Sequence, residues 1–197
     1  MGARTVPALV LASGSPRRRE LLSSAGIRFE ILLPEVEENA SCVLTIRELT
    51  TGNATRKALD VAHQRPDAVV LGADTLVALD GKIIGKPADM AEATAIIRRL
   101  SGRTHEVCTA VFICSAEANR ATSFHVFSHV KFRELSEQEI AAYLVKINPL
   151  DKAGAYAAQG HGAEIIEIGG SYTNVVGLPM KETLRALRAF GIEPAAT

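Results

Sequence analysis

The apolar run Val69–Leu71, which leads through Gly72-Ala73 into Asp74, limits the possible folds more than any other segment. An uninterrupted apolar run that ends at a glycine is typical of a strand buried on both faces of a sheet. Such a strand would end at Asp74 and place its carboxylate at the edge of the sheet. The pair Asp80-Gly81 follows and predicts a two-residue β-hairpin. The hairpin is expected to bring Lys86 to the same side as Asp74.

A second strand end, early in the chain, carries hydroxyl groups and positive charge. Ser13 precedes a helix predicted over 16–25, with a proline suited to its first turn. Hydroxyls, backbone N–H groups and the positive end of a helix favour anion binding, although a serine-capped helix with solvated arginines has the same pattern. Three successive arginines point in different helical directions. We therefore rank Arg17 first and Arg18 second, and expect Arg19 to face solvent.

Acidic side chains are candidates for the same site. Glu35, Glu37 and Glu38 follow a short strand predicted at 29–33, and one of them could complete an oxygen-rich site for Mg²⁺ or Mn²⁺. An ordinary acidic loop is the alternative. Asp74 fits two catalytic roles, as a general base or as a metal ligand, because both need a carboxylate facing the reacting groups. A turn-capping aspartate is its structural alternative.

Two further polar residues are weaker candidates when taken alone. Lys57 lies on a helix that begins at the capping box 45–48 and is expected to end near His63. Most lysines on helices are solvated, so a functional Lys57 needs other support. Gln159 lies in 151–160, where glycines favour close approach to a ligand. Its amide offers the donor and acceptor that reading a nucleobase edge requires, although most glutamines are surface groups.

The composition predicts a single folded domain over residues 1–197. An apolar fraction of 47% excludes wholesale disorder, and 22 basic against 22 acidic side chains leave no net charge to attract duplex nucleic acid or an anionic membrane. No stretch approaches the roughly 18 apolar residues of a spanning helix. Cys42, Cys108 and Cys114 lack C-x-x-C spacing, which argues against structural zinc and favours core thiols in a reducing, cytoplasmic location.

The remaining pattern predicts strands alternating with helices and then hairpins, and hence a mixed α/β sheet. A polar loop near 117–120 separates two strands, and Asn148-Pro149 interrupts the later part of the chain. The predicted elements are strands at 105–114 and 123–132, helices at 89–100, 136–146 and 179–190, and apolar segments of unassigned type at 165–168 and 173–176.

Nine short motifs follow one another in a specific order and spacing. They are Ala12-Ser13-Gly14-Ser15-Pro16-Arg17-Arg18, Glu35-Val36-Glu37-Glu38, Lys57-Ala58, Gly72-Ala73-Asp74-Thr75, Gly85-Lys86-Pro87, Leu100-Ser101-Gly102-Arg103-Thr104-His105, Asp151-Lys152-Ala153-Gly154-Ala155-Tyr156, Gln159-Gly160 and Asn174-Val175-Val176-Gly177-Leu178-Pro179. Together they resemble the Maf family of nucleoside triphosphate pyrophosphatases, from about residue 8 to residue 190.

The resemblance implies an elongated mixed α/β fold with flanking helices and a cleft between two lobes, similar to the inosine-triphosphate pyrophosphatases, and commonly a homodimer. It implies hydrolysis of a nucleoside triphosphate between the α and β phosphates with Mg²⁺ or Mn²⁺. By motif, Asp74 resembles the proton acceptor that activates water, and Glu37 together with Asp74 would hold the metal. The residues that would bind or neutralise the phosphates are Ser13, Arg17, Arg18, Lys57 and Lys86.

Within the family, Arg17, Thr75 and Gln159 resemble the specificity set of the branch that acts on dTTP and UTP, and often on modified pyrimidine nucleotides. The sister branch that acts on 7-methyl-GTP usually differs beside the acid and in the late glutamine segment. This chain keeps Thr75 and Gln159, so pyrimidine triphosphates are favoured. One departure is the segment Leu49–Arg56 ahead of Lys57, which is less regular than the usual leucine–alanine approach. Two other functions stay open: a house-cleaning pyrophosphatase for purine analogues such as ITP, and a division-linked, nucleotide-sensing regulatory protein without turnover.

Overall fold

The computed structural model describes residues 7–39, 43–160 and 164–195. Its strands are β1 (Leu9–Ala12), β2 (Glu30–Ile31), β3 (Val69–Leu79), β4 (Lys82–Ile84), β5 (Thr104–Ser115), β6 (Arg120–Phe132) and β7 (Ile166–Gly169). Its helices are α1 (Pro16–Ser24), α2 (Ile46–Gln64), α3 (Met90–Leu100), α4 (Glu137–Leu144), α5 (Tyr172–Val176) and α6 (Met180–Ala189), with a 3₁₀ turn at Ala153–Ala155. No helix in this part of the chain combines the length and apolar character needed to cross a membrane.

The strands form one seven-stranded mixed sheet in the order β2-β1-β3-β5-β6-β7, with β4 paired to β3. Neighbours β2, β1 and β3 run parallel, whereas β5, β6, β7 and β4 pair antiparallel to the strands beside them. Helices cover this sheet, so the mixed α/β class predicted from the sequence is confirmed.

The central strand β3 changes its partner part-way along one edge. It pairs with β1 over residues 69–72 and with β4 over residues 77–79, while β5 follows it along the other edge from residue 69 to residue 78. The prediction that Asp74 ends its strand is therefore wrong. The strand continues because residues 76–79 are again apolar and reach the two-residue Asp80-Gly81 hairpin, which is confirmed. Asp74 instead lies where the ladder on one edge is interrupted.

Strands β1 and β3 are buried on both faces, as their uninterrupted apolar runs predict. Leu9 and Leu11 of β1 pack in a cluster with residues of α1 and α6, whereas Val10 and Ala12 pack against α2. This alternation follows the two-residue side-chain period of a strand. A third cluster packs α3 and α4 against the end of β3, the start of β5 and the end of β6.

Helix α2 begins at Ile46, and both hydrogen bonds of the predicted capping box form between its N-cap Thr45 and Glu48. It continues unbroken through Gly52, so the less regular approach to Lys57 does not interrupt it. The helix lies against β3 at Gly72, where a Cβ would come within 2.8 Å of the Ala58 nitrogen. This close approach is possible because position 72 lacks a side chain, and it sets α2 directly over the acid of β3.

The other predicted elements are confirmed with ends shifted by a few residues. The short strand predicted at 29–33 is reduced to Glu30–Ile31, and β6 begins three residues earlier than predicted, at Arg120. Of the two unassigned apolar segments, 165–168 lies largely in β7 and 173–176 lies in helix α5.

The cysteines within the described residues are core thiols. Cys108 and Cys114 are free and buried, and burial raises the pKa of both thiols. A thiol with a raised pKa is a poor nucleophile near neutral pH. Cys42 lies outside the described residues.

A buried histidine makes the stability of the fold depend on pH. His105 on β5 lies between Phe132 and Tyr156, and its Nε2 shares a hydrogen bond of 2.9 Å with the Tyr156 hydroxyl. Burial lowers the pKa of His105 from 6.5 to about 4. Between these two values the unfolded chain binds a proton that the folded chain does not. The contribution of neutral His105 to the free energy of unfolding is therefore fully present above pH 6.5. It is progressively lost as the pH falls towards 4.

We expect His105 to lower the free energy of unfolding by about 2 kcal/mol between pH 7.5 and pH 5. Urea unfolding at the two pH values measures this change. His105→Gln cannot take up the proton and should lose that part of the pH dependence. The exposed His125 provides the control His125→Gln, which should retain it. An equal pH dependence in wild type and His105→Gln would exclude His105 as its source.

Candidate active site

A cavity of about 1090 Å³ opens where the ladder on one edge of β3 is interrupted. Its lining comes from the segment after β1, the start of α1, α2, β3, β4 and most of residues 151–159. The site residues predicted from the sequence that line it are Ser13, Arg17, Arg18, Lys57, Asp74, Thr75, Lys86 and Gln159. Glu37, the predicted metal ligand, is exposed and is not among the lining residues.

Asp74 is the buried acid of this cavity, with 4% of its surface exposed. Its Oδ1 accepts a hydrogen bond of 2.8 Å from Lys57 Nζ, and its Oδ2 accepts one of 3.1 Å from Asn53 Nδ2. Asn53 and Lys57 are four residues apart on α2 and therefore lie on the same face of that helix. Asn53 was not predicted as a site residue, although its spacing of four residues from Lys57 was a usable signal in the sequence.

Lys57 also binds a second carboxylate. Its Nζ lies 2.5 Å from Glu38 Oε1, so one ammonium group bridges Glu38 and Asp74. Burial on its own would raise the pKa of Glu38, but the hydrogen bond and charge of Lys57 outweigh this and lower that pKa. The charges of Lys86 and Arg18 act in the same direction. Glu38 is therefore ionised at neutral pH and forms part of the polar wall of the cavity.

Glu38 lines the cavity and Glu37 does not, although both residues are exposed. Residues 32–39 carry no regular secondary structure, and the cavity-lining residues among them are Leu33, Pro34, Val36, Glu38 and Asn39. The hydrogen bond from Lys57 holds the Glu38 carboxylate at the cavity.

Arg18 joins three segments behind the cavity wall. Its Nε donates to the Gly177 carbonyl at 2.8 Å, its Nη1 to Ser13 Oγ at 3.0 Å, and its Nη2 to Thr75 Oγ1 at 3.1 Å. Burial lowers the pKa of this guanidinium, while the nearby Asp74 charge opposes the shift. Because the ordinary pKa of arginine lies far above neutral pH, the group stays charged there. Arg18 thus fixes the hydroxyls of Ser13 and Thr75 relative to each other.

The other two arginines of α1 differ from Arg18 in their environment. Arg17 is partly exposed and forms an ion pair of 3.0 Å with Asp151, which also pairs with Lys152 at 2.6 Å. Arg19 is exposed, as predicted. The sequence ranked Arg17 above Arg18, and the structure places both on the cavity, with Arg18 the more deeply buried.

The part of the cavity formed by β4 and residues 151–159 depends on a turn that returns the chain to the sheet. Gly154 has φ 75° and its N–H donates to the Gly85 carbonyl at 3.1 Å, next to Lys86. Such a φ is readily adopted only by glycine. The turn brings Asp151 and Gln159 to the cavity although they lie far from Ser13 in sequence.

The carboxylates of Asp74, Glu38 and Asp151 line the cavity, and Asp151 is paired with Arg17 and Lys152. Asp74 and Glu38, which share the Lys57 ammonium group, are the candidate ligands of a divalent cation. Within the described residues no group of three or more His, Cys, Asp or Glu side chains is placed to hold a metal ion. Mg²⁺ commonly binds through one or two carboxylates together with water and substrate phosphates, and two carboxylates in a cation-lined cavity fit that mode of binding.

The chain also matches a known family over nearly its whole length. The family model described as Maf-like protein matches residues 8–190. The chain belongs to the Maf family. One Maf relative, the dTTP/UTP pyrophosphatase of Akkermansia muciniphila, is 45% identical over 187 residues, which cover 94% of this chain and 98% of the relative. The dTTP/UTP pyrophosphatase of Bacillus anthracis is 44% identical over 186 residues, covering 94% and 96%.

A solved structure, that of protein VC0702 from Vibrio cholerae, aligns with a TM-score of 0.35 at 11% identity and covers 72% of this chain and 68% of that one. This likeness is too weak to support an argument about the site of the Maf chain.

Proposed function

We propose that this chain is a nucleoside triphosphate pyrophosphatase that hydrolyses dTTP and UTP between the α and β phosphates. The observation that carries the proposal is the buried Asp74 carboxylate, which faces a cavity whose walls also hold Arg17, Arg18, Lys57 and Lys86. A triphosphate needs such cations because its charge repels an attacking nucleophile. The names of the Akkermansia and Bacillus relatives support the same reaction.

The cationic side chains bind and orient the triphosphate in this proposal. Arg17, Lys57 and Lys86 neutralise the phosphates, and the hydroxyl of Ser13 donates to them beside the N-terminal end of α1. Arg18 contributes charge, and through its hydrogen bonds it holds Ser13 and Thr75 in place. Catalysis of this kind depends mainly on positioning and charge stabilisation.

Asp74 accepts the proton of the attacking water. Each carboxylate oxygen has two lone pairs, so the bonds from Lys57 and Asn53 leave acceptor capacity for a water molecule. The water oxygen attacks the α phosphorus, the bond from that phosphorus to the bridging oxygen breaks, and pyrophosphate leaves. The products are the nucleoside monophosphate and pyrophosphate.

A divalent cation is proposed as the cofactor, as the resemblance implied. Asp74 and Glu38, two of the carboxylates that line the cavity, would hold it, whereas Glu37 stays a prediction from the motif. When bound, the cation neutralises charge on the phosphates and the leaving pyrophosphate. The residues of the chain then orient the phosphates and move the proton.

Thr75 and Gln159 are proposed to select pyrimidine nucleotides. The Thr75 hydroxyl is fixed by Arg18 and shares a hydrogen bond of 2.9 Å with Thr109 Oγ1, so its position in the cavity wall is defined. Gln159 is exposed and lines the same cavity, where its amide can donate to and accept from a base edge. Thymine and uracil both present carbonyl oxygens and an N–H on that edge.

Pyrophosphate release from dTTP, UTP, CTP, 7-methyl-GTP and ITP, each with Mg²⁺ or Mn²⁺, tests this function. We expect turnover of dTTP and UTP to exceed that of the other nucleotides. Turnover of 7-methyl-GTP or ITP alone would overturn the pyrimidine preference, and the ITP result would favour a purine house-cleaning enzyme. Binding of nucleotide without any turnover would favour a regulatory protein.

Glu38 and Glu37 provide a matched pair of substitutions that tests which carboxylate supports catalysis and Mg²⁺ binding. We expect Glu38→Gln to lower kcat/KM about tenfold or more and to raise the Mg²⁺ concentration needed for half-maximal rate, because a carboxylate on the cavity is lost. Glu37→Gln changes an exposed side chain outside the cavity and should change both values little. Steady-state assays over a Mg²⁺ series measure both variants, and a reversed result would assign the metal to Glu37.

A further inference from the structure

Lys57 contacts one oxygen of each of the two carboxylates that are proposed to hold the divalent cation. Its Nζ lies 2.8 Å from Asp74 Oδ1 and 2.5 Å from Glu38 Oε1, and its side chain is 10% exposed. The two carboxylates proposed to hold the cation are thus neutralised in part by a side chain of the protein.

We propose that Lys57 is an internal counter-ion that excludes the divalent cation until a triphosphate draws its ammonium group away, so that cation and nucleotide enter the site together. This inference rests on the proposed function for the identity of the nucleotide.

The exclusion follows from the short distances. A divalent cation binds carboxylate oxygens at roughly 2.0–2.6 Å. If it reached Asp74 Oδ1 or Glu38 Oε1 while Lys57 stayed in place, two positive groups would share the same oxygen. Their repulsion is weakly screened at Asp74, because the Asp74 side chain is 6% exposed and the Lys57 side chain 10%, and it is more strongly screened at Glu38, whose side chain is 47% exposed.

The movement of the Lys57 ammonium group from the carboxylates to the triphosphate follows from the flexibility of the lysine side chain and the charge of the phosphates. A lysine ammonium is carried on a flexible four-carbon stem and can change partners with little movement of the backbone. A triphosphate offers several anionic oxygens in the same cavity, and Lys57 lines that cavity. Asn53 keeps its bond to Asp74 Oδ2 during the exchange, so the carboxylate stays oriented when Lys57 leaves.

A purely structural ion pair makes a different prediction. In that case Lys57 would stabilise the packing of α2 on β3 without controlling access of a cation to the carboxylates. The affinity of the site for a divalent cation, measured without nucleotide, separates the two roles. Only a Lys57 ammonium group that acts as the counter-ion of the carboxylates lowers this affinity directly.

The test is Mn²⁺ binding to the full chain without nucleotide, measured by electron paramagnetic resonance of free Mn²⁺. We expect Lys57→Met to bind Mn²⁺ at least about tenfold more tightly than wild type, a change of the size that one close charge produces. Lys86→Met removes a cavity lysine whose charge acts on Glu38 without a hydrogen bond to it. This matched control should change the affinity by less than about threefold, the part expected from general electrostatics.

A second measurement uses wild type alone and does not depend on the folding of a variant. Mn²⁺ binding is compared with and without the non-hydrolysable analogue α,β-imido-UTP, with correction for Mn²⁺ bound by the free analogue. We expect tighter Mn²⁺ binding, by about tenfold or more, in the protein–analogue complex. Equal affinity with and without the analogue, or equal affinity in wild type and folded Lys57→Met, overturns the proposal.

The outcomes also separate this inference from the proposed function. If no nucleotide is hydrolysed but Lys57→Met gains Mn²⁺ affinity, the counter-ion role stands and the pyrophosphatase proposal fails. If dTTP and UTP are hydrolysed and Lys57→Met gains no affinity, the pyrophosphatase proposal stands and the counter-ion role fails.

Discussion

Asp74→Asn is expected to fold as wild type does and to release pyrophosphate from dTTP or UTP at least about 10²-fold more slowly, as for the loss of a positioned general base. The substitution keeps the shape of the side chain, and its carbonyl oxygen can still accept the Lys57 hydrogen bond. It removes the ability to take a proton from water. The loss should therefore appear in kcat more than in KM, because the phosphate-binding cations are unchanged.

The matched control is Asp67→Asn, which makes the same chemical change at an exposed residue paired with Arg65 and outside the cavity. It should retain wild-type turnover. Circular dichroism and urea unfolding establish that both variants are folded. Near-wild-type turnover in a folded Asp74→Asn protein would exclude the proposed base.

Gly72→Ala is expected to lower the free energy of unfolding by about 3 kcal/mol, the upper end of the usual cost of overpacking a core. The new Cβ would lie 2.8 Å from the Ala58 nitrogen and 2.9 Å from the Ala58 Cβ, and closer still to the Ala54 carbonyl oxygen. Backbone atoms of α2 cannot turn away as a flexible side chain can, so the helix must shift. For a chain of this size the melting temperature should fall by about 6–12 °C.

Gly52→Ala is the matched control for Gly72→Ala. Gly52 lies in the same helix α2, is exposed, and has no atom within 4 Å of the position its Cβ would take. Alanine there should raise stability by about 0.5–1 kcal/mol, because glycine is the poorer helix former. Thermal unfolding of both variants measures the contrast, and an unchanged melting temperature for Gly72→Ala would show that α2 has room to move.

The Gly72 contact also matters for the site. Helix α2 carries Asn53 and Lys57, the two residues that hold Asp74, and its distance from β3 sets the length of both hydrogen bonds. A shift of α2 is therefore expected to lower activity as well as stability. Small displacements of catalytic groups are costly because proximity and orientation supply much of the rate.

Local elements of the fold were predictable because their signals are local. A capping box starts α2 at Thr45, the Asp80-Gly81 pair supplies the two positive φ values of its hairpin, and apolar runs mark the strands buried on both faces. Each signal depends on neighbouring residues and on the backbone geometry that they favour. The predicted cavity residues were chosen with the help of motif order, and eight of them line one cavity.

The sequence by itself determined the mixed α/β class, the positions of most helices and strands, and the family. Only the tertiary structure decided that Asp74 lies inside its strand, that Glu38 faces the cavity, and that Arg18 is buried against Gly177. These features depend on partners that are distant in sequence: β3 exchanges β1 for β4, Lys57 is 19 residues from Glu38, and Arg18 is 159 residues from Gly177. Burial and charge pairing arise only when such segments pack together, and no local pattern of residues encodes them.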